Sequence, residues 1–164
     1  MKKRTAFIVA ILSLIPLGQP LLIKTGVVLS STGLIISLSE KVYAGDNSYY
    51  FNRAFEKGEN GDYYGAISDY TKAIEINPND SLAYYNRGNS KRKLKDYYGA
   101  ISDYTKAIEI NPQYGKAYNN RGLAKRKIGD DKGGCDDYKK AISVGNKETE
   151  NWFKTDGADW CRYM

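Results

Sequence analysis

Apolar positions follow two regimes along this chain. Residues 5–23 and 25–39 are uncharged runs rich in Ile, Leu and Val, divided only by Lys24. Beyond residue 45 the apolar positions thin out, recur three and four residues apart, and are mostly Ala, Tyr and Ile set among charged neighbours. Such spacing lays an apolar stripe along one side of a helix. Tyr84 and Gly88 place an aromatic one turn from a small residue, so a second helix can approach closely; Ala100, Tyr104 and Ala107 recur at helical spacing on that partner. Asn77-Pro78 and Asn111-Pro112 end the second helices, because the residue before Pro is pushed out of the α region. Gly61-Asp62 and Lys95-Asp96 mark the turn within each pair.

The pattern repeats. Residues 62–78 read DYYGAISDYTKAIEINP, and residues 96–112 read the same seventeen letters at an offset of 34. A weaker third copy keeps the spacing in Tyr50, Tyr84 and Tyr118; Arg53, Arg87 and Arg121; and Tyr70, Tyr104 and Tyr138. The units are 47–80, 81–114 and 115–146. Tyr84, Gly88, Ala100, Tyr104, Ala107 and Pro112 in the second unit resemble the tetratricopeptide repeat. The resemblance implies an all-α fold: three tandem helix-turn-helix repeats in a right-handed superhelix, with residues 147–164 as a C-terminal capping helix carrying Trp152 and Phe153. Departures are plain. Arg53, Arg87 and Arg121 stand where that family has Leu, and Lys57, Lys91 and Lys125 where it has Tyr. Gly134 replaces the Ala of Ala66 and Ala100, and Asn146 replaces the closing Pro.

The apolar start reads as an export leader over residues 1–44: a basic Met1-Lys2-Lys3-Arg4, the two apolar runs, then Val42-Tyr43-Ala44 before an expected cleavage between Ala44 and Gly45. At 1.5 Å per residue the first run reaches roughly 28 Å and could span a bilayer, while the second reaches roughly 22 Å and falls short. Two accounts of this double leader stay open: the first run as an uncleaved anchor, or translation from a start near residue 21. Export to a periplasm, a lumen or the medium is expected, with membrane contact only through a retained leader.

Charge follows the same division. The chain is formally +6, but five basic residues and Glu40 belong to residues 1–44, leaving 20 basic against 18 acidic and a net of +2. Bulk basicity is thus no argument for nucleic acid. His is absent, which removes Ser/His/Asp and Cys/His nucleophilic sites and His-containing zinc sites; the two Cys cannot make a Cys₄ site. No cofactor, no metal and no catalytic residue is expected. Asp69 and Asp103, copied at one repeat position, read as surface helix chemistry. In an oxidising compartment Cys135 and Cys161 are expected to be bridged, closing a loop of about 27 residues for roughly 3 kcal/mol.

The resemblance further implies that the first helices line a concave peptide groove. Carried onto this chain, its residues are Phe51, Asn52 and Phe55; Tyr85, Asn86, Asn89, Arg92 and Lys93; Lys116, Asn119, Asn120, Arg126 and Lys127. Asn amides match the backbone of an extended peptide, and the cations favour carboxylates. The expectation is a non-enzymatic, exported protein-interaction module that scaffolds or escorts partner proteins, with an acidic peptide segment in the groove. Asn86 and Lys116 alone fit the Lys, Asn, Asn, Lys, Arg set with which some of that family clasp a C-terminal carboxylate. Alternatives are anionic-ligand or nucleic-acid binding through residues 91–95 and 125–127, and self-assembly through exposed repeat ends.

Overall fold

The structure is a computed structural model that describes residues 46–155 and 159–162. The leader, with Ala44 and Gly45, lies outside the described residues. Those described form eight helices and no strand: α1 (Asn47–Glu59), α2 (Tyr63–Ile76), α3 (Ser81–Lys93), α4 (Tyr97–Ile110), α5 (Gly115–Lys127), α6 (Asp131–Ser143), α7 (Lys147–Lys154) and α8 (Asp159–Arg162). Each of the first six packs on the next, so three hairpins stack in series, and α7 and α8 both rest on α6.

Local chemistry sets these boundaries. Asp62, Asp96 and Asp130 cap α2, α4 and α6, each accepting from the backbone N–H three residues on, at Gly65, Gly99 and Gly133. Asp46 caps α1 by accepting from the Ser48 N–H and Asp80 caps α3 by accepting from those of Leu82 and Ala83, whereas Tyr114 opens α5 with no side-chain bond. The turn inside each hairpin needs a left-handed residue, supplied by Gly61 (φ 82°) and Gly129 (φ 88°) in the outer hairpins and by Lys95 (φ 64°) in the middle one.

The interior is narrow. Ala54, Ala66, Ala73, Ala83, Ala100, Ala107, Ala117, Ala124 and Ala141 are fully buried, which lets the helices approach, and Tyr70, Tyr104 and Tyr138 fill the space between them. At Gly88 an added Cβ would lie 2.8 Å from the Tyr104 ring, so the close crossing read from Tyr84 and Gly88 is real.

Each hairpin is also tied by an ion triad. Asp69, Asp103 and Asp137 are 2 %, 3 % and 4 % exposed, which corrects the reading of Asp69 and Asp103 as surface chemistry. The Arg of the facing helix grips each carboxylate with two nitrogens: Arg53 on Asp69 at 2.7 and 2.6 Å, Arg87 on Asp103 at 2.9 and 2.7 Å, Arg121 on Asp137 at 2.9 and 2.6 Å. Lys57, Lys91 and Lys125 add a third contact at 2.8 to 2.9 Å. Arg87 and Arg121 also reach back to Thr71 and Thr105 of the preceding hairpin, at 3.0 and 3.1 Å. The Arg and Lys departures and the copied Asp are therefore one device. Burial pushes the Asp69 carboxyl up, but bonds from Arg53 and Lys57 outweigh it and hold it below the usual value.

The cap completes the third hairpin. Phe51 and Tyr85, at one repeat position, lay their rings on Tyr70 and Tyr104. The third unit has Asn119 there and no ring to offer; Trp152 of α7 takes its place against Tyr138, 5.0 Å between centroids. Cys135 on α6 is bridged to Cys161 on α8, with Cα atoms 5.4 Å apart. Gly134 is explained by the same packing: a Cβ there would lie 2.7 Å from Cγ of Arg126, whose guanidinium lies 4.1 Å from the centre of the Trp160 ring.

Candidate functional site

A cavity of about 450 Å³ opens between the C-terminal halves of α1 and α3. Its wall on the first hairpin is Phe55, Gly58, Glu59, Tyr63 and Tyr70; α3 contributes Tyr85, Asn86, Asn89, Ser90, Arg92 and Lys93, and α5 contributes Asn120. Phe55 is 50 % exposed, an apolar ring with nothing covering its outer face among the described residues. The cavity thus has an aromatic side and an amide side, with Arg92 and Lys93 set against the single carboxylate of Glu59.

The helices dictate this arrangement. On α3, Tyr85, Asn86, Asn89, Arg92 and Lys93 recur three and four residues apart, so one strip of the helix presents them all. The Arg92 side chain lines the cavity and bonds to the Tyr104 hydroxyl, while its Nε atom is buried with no hydrogen-bond partner among the described residues. Burial pushes the Tyr70 phenol up to about 12, helped by the charge of Glu59, and burial also raises Tyr104 beneath the floor. Both phenols are neutral donors at neutral pH. Among the described residues no group of His, Cys, Asp or Glu side chains could hold a metal ion, and no helix is long and apolar enough to cross a membrane.

Of the groove residues expected from the sequence, the structure brings Phe55, Tyr85, Asn86, Asn89, Arg92, Lys93 and Asn120 together. The other six do not line the cavity. Phe51 is spent on the core of the first hairpin, and Asn52, Lys116 and Lys127 are exposed elsewhere. Asn119 turns to the cap, accepting from the Thr149 hydroxyl at 2.8 Å. Arg126 is held under Trp160, 3.7 Å from Asp131.

The basic runs do not form one surface either: Lys91 and Lys125 face buried carboxylates, while Arg92 and Arg126 go separate ways. Sequence reasoning missed Tyr63, Tyr70 and Ser90. Tyr63 and Tyr64 look equivalent as letters, but only Tyr63 turns into the cavity. Its position at the first residue of α2, level with the last turn of α1, was the available signal.

Comparison with known proteins places this geometry. A tetratricopeptide repeat model matches residues 81–114, and a TPR repeat model matches residues 59–94. No curated protein matches the chain. The fold is that of tetratricopeptide domains: the first TPR of Spaghetti (RPAP3), bound to the HSP90 peptide SRMEEVD, is 25% identical and superposes with a TM-score of 0.62 over 66% of this chain and 87% of that one. The TPR2B domain of yeast Sti1, in complex with pHsp70, is 25% identical, with a TM-score of 0.61 over 71% of this chain and 93% of that one. The Arabidopsis OM64 TPR domain matches in fold at 24% identity, with a TM-score of 0.62 over 66% of this chain and 93% of that one.

Proposed function

We propose that this three-hairpin tetratricopeptide array is a non-enzymatic protein-interaction module whose concave cavity takes an extended acidic segment of a partner protein. The carrying observation is the pairing of an exposed aromatic wall at Phe55 with an amide and cationic wall that includes Asn86, Asn89, Arg92 and Lys93. An apolar side chain of the ligand lies against Phe55, Tyr63 and Tyr85. The Asn86 and Asn89 amides bond its backbone, and its carboxylates meet Arg92 and Lys93. Two solved neighbours are complexes with HSP90 and pHsp70 ligands, which supports peptide capture as the use of such a groove.

Capture of a terminal carboxylate is not the mode proposed. Lys116 is exposed outside the cavity, and Phe55 occupies a position where the carboxylate-clasping set has a polar residue. An internal acidic segment is the better fit. Export is part of the proposal, supported by the apolar runs before residue 45, Val42-Tyr43-Ala44, and a disulfide that suits an oxidising compartment. Scaffold or escort duty for envelope or secreted proteins follows from that location.

Fluorescence anisotropy with a labelled, end-capped acetyl-Glu-Glu-Phe-Glu-Glu-amide tests the site. Binding should weaken about tenfold in Arg92→Gln and by a similar factor in Phe55→Ala, and should fall with added salt. Equal affinity for the uncapped heptapeptide SRMEEVD and the capped peptide, with no loss in either variant, contradicts the proposal.

A further inference from the structure

The third hairpin carries an occupied copy of the cationic corner that the second hairpin leaves open. Arg92 on α3 and Arg126 on α5 stand one repeat apart, at the same repeat position. Each is half-buried, and each bonds the tyrosine hydroxyl of its own hairpin, Tyr104 or Tyr138. Each also has a buried Nε without a hydrogen-bond partner among the described residues. The first hairpin has Gly58 at that position and no cation to offer.

The two arginines differ in what surrounds them. The indole of Trp160 lies over the Arg126 guanidinium, 4.1 Å from its carbon to the ring centre, and Asp131 sets a carboxylate 3.7 Å from Arg126 Nε. Cys161, next in sequence, is bridged to Cys135 on α6, which keeps the ring in place. A guanidinium offers a flat face to a π-system and a rim of N–H groups to carboxylates, so it takes both at once. At the second hairpin both are missing. Tyr97 stands at the repeat position of Asp131, and among the described residues no ring lies over Arg92, which lines the cavity instead. An aliphatic group laid on that face would strip water from the cation and return no electrostatic attraction, whereas an aromatic ring returns it through its quadrupole.

We infer that the cavity selects an aromatic side chain next to an acidic one: the ring lies flat on the Arg92 guanidinium, as Trp160 lies on Arg126, and the neighbouring carboxylate pairs with Arg92 and Lys93. The inference rests on the proposed groove and adds the class of residue that it takes. Phe55, Tyr63 and Tyr85 line the same cavity and offer the ring its remaining apolar contacts. The C-terminal cap thus serves the third hairpin as a built-in ligand, and the second hairpin takes its own from a partner.

The test compares labelled acetyl-Glu-Glu-Phe-Glu-Glu-amide with the same peptide carrying cyclohexylalanine in place of Phe, a side chain of similar size that is more apolar and has no π-face. Anisotropy with the purified wild type should show the Phe peptide bound about threefold more tightly, and Arg92 side-chain protons should move upfield with that peptide alone. In Arg92→Met, with its fold checked by circular dichroism, the order should reverse, since burial of apolar surface then decides. Should that variant fail to fold, the wild-type affinities and proton shifts decide alone. Equal or tighter binding of the cyclohexyl peptide by the wild type overturns the inference and leaves the groove standing. So does a missing upfield shift, or a preference for Phe that survives in Arg92→Met. A wild type that binds neither peptide overturns the groove and the inference together.

Discussion

Asp103 is the sharpest place to perturb this architecture. Its carboxylate takes Arg87 through Nε and Nη2 at 2.9 and 2.7 Å and Lys91 through Nζ at 2.8 Å, while Arg87 Nη1 continues to Thr71 of the preceding hairpin at 3.0 Å. Asp103→Ala leaves two cations facing each other in a site where their side chains are only 16 % and 21 % exposed. Removing one partner of a buried pair costs about 3–5 kcal/mol, and the low end applies here because both cations have long stems that can swing towards water. A loss of about 3 kcal/mol corresponds to a fall in melting temperature of roughly 10 °C or more for an array of this size.

The corresponding Asp69→Ala should cost about half as much, since Arg53 and Lys57 are 30 % and 35 % exposed and better screened. Replacing the whole triad by apolar groups, Arg87→Leu with Lys91→Tyr and Asp103→Ala, removes the uncompensated charge and should return to within about 1 kcal/mol of the wild type. Urea unfolding followed by far-UV circular dichroism measures all three. The reasoning is refuted if Asp103→Ala falls within about 0.5 kcal/mol of the wild type, the range of an ordinary surface change, or if the triple variant is no more stable than the single one.

Three further outcomes follow from individual residues. Lys95→Gly relieves a left-handed backbone at an exposed position and should raise stability by about 1 kcal/mol, read from the urea midpoint. Cys135→Ser with Cys161→Ser should cost about 3 kcal/mol and weaken the contact of Trp152 with Tyr138, seen as a change in tryptophan fluorescence. The Asp69 carboxyl is held below its ordinary 3.8 in the folded state, so its stabilising effect is complete above that value and is lost as pH falls through the lower folded-state value. Acid unfolding profiles of the wild type and Asp69→Asn should therefore converge at low pH and separate above about pH 4.

The hairpins were legible in the sequence because their signals are local: caps at Asp62, Asp96 and Asp130, stops at Asn77-Pro78 and Asn111-Pro112, and small residues one turn from aromatics. The ion triads were visible only as anomalies. Arg87 and Lys91 looked like losses of packing and Asp103 like a surface carboxylate, because pairing across sixteen residues needs the hairpin closed before it can be seen. About half of the residues expected to line a groove come together at one cavity. Repeat position put Tyr85, Asn86 and Asn89 on one face, and they line one cavity, since the middle hairpin has a neighbour on each side. It misplaced Asn119 and Arg126, because the third hairpin packs against Thr149 and Trp160, whose approach no repeat pattern encodes.

The most direct test of the groove is chemical-shift mapping of the labelled protein with acetyl-Glu-Glu-Phe-Glu-Glu-amide, beside the neutral peptide in which every Glu is Gln. The predicted result is movement of the backbone resonances of Phe55, Asn86, Asn89 and Arg92 with the acidic peptide, little response to the neutral one, and none at Tyr98, Lys106 or Glu109 on the far side of the array. Shifts centred on those outer residues, or equal shifts with both peptides, would contradict a site for acidic segments in the cavity between α1 and α3.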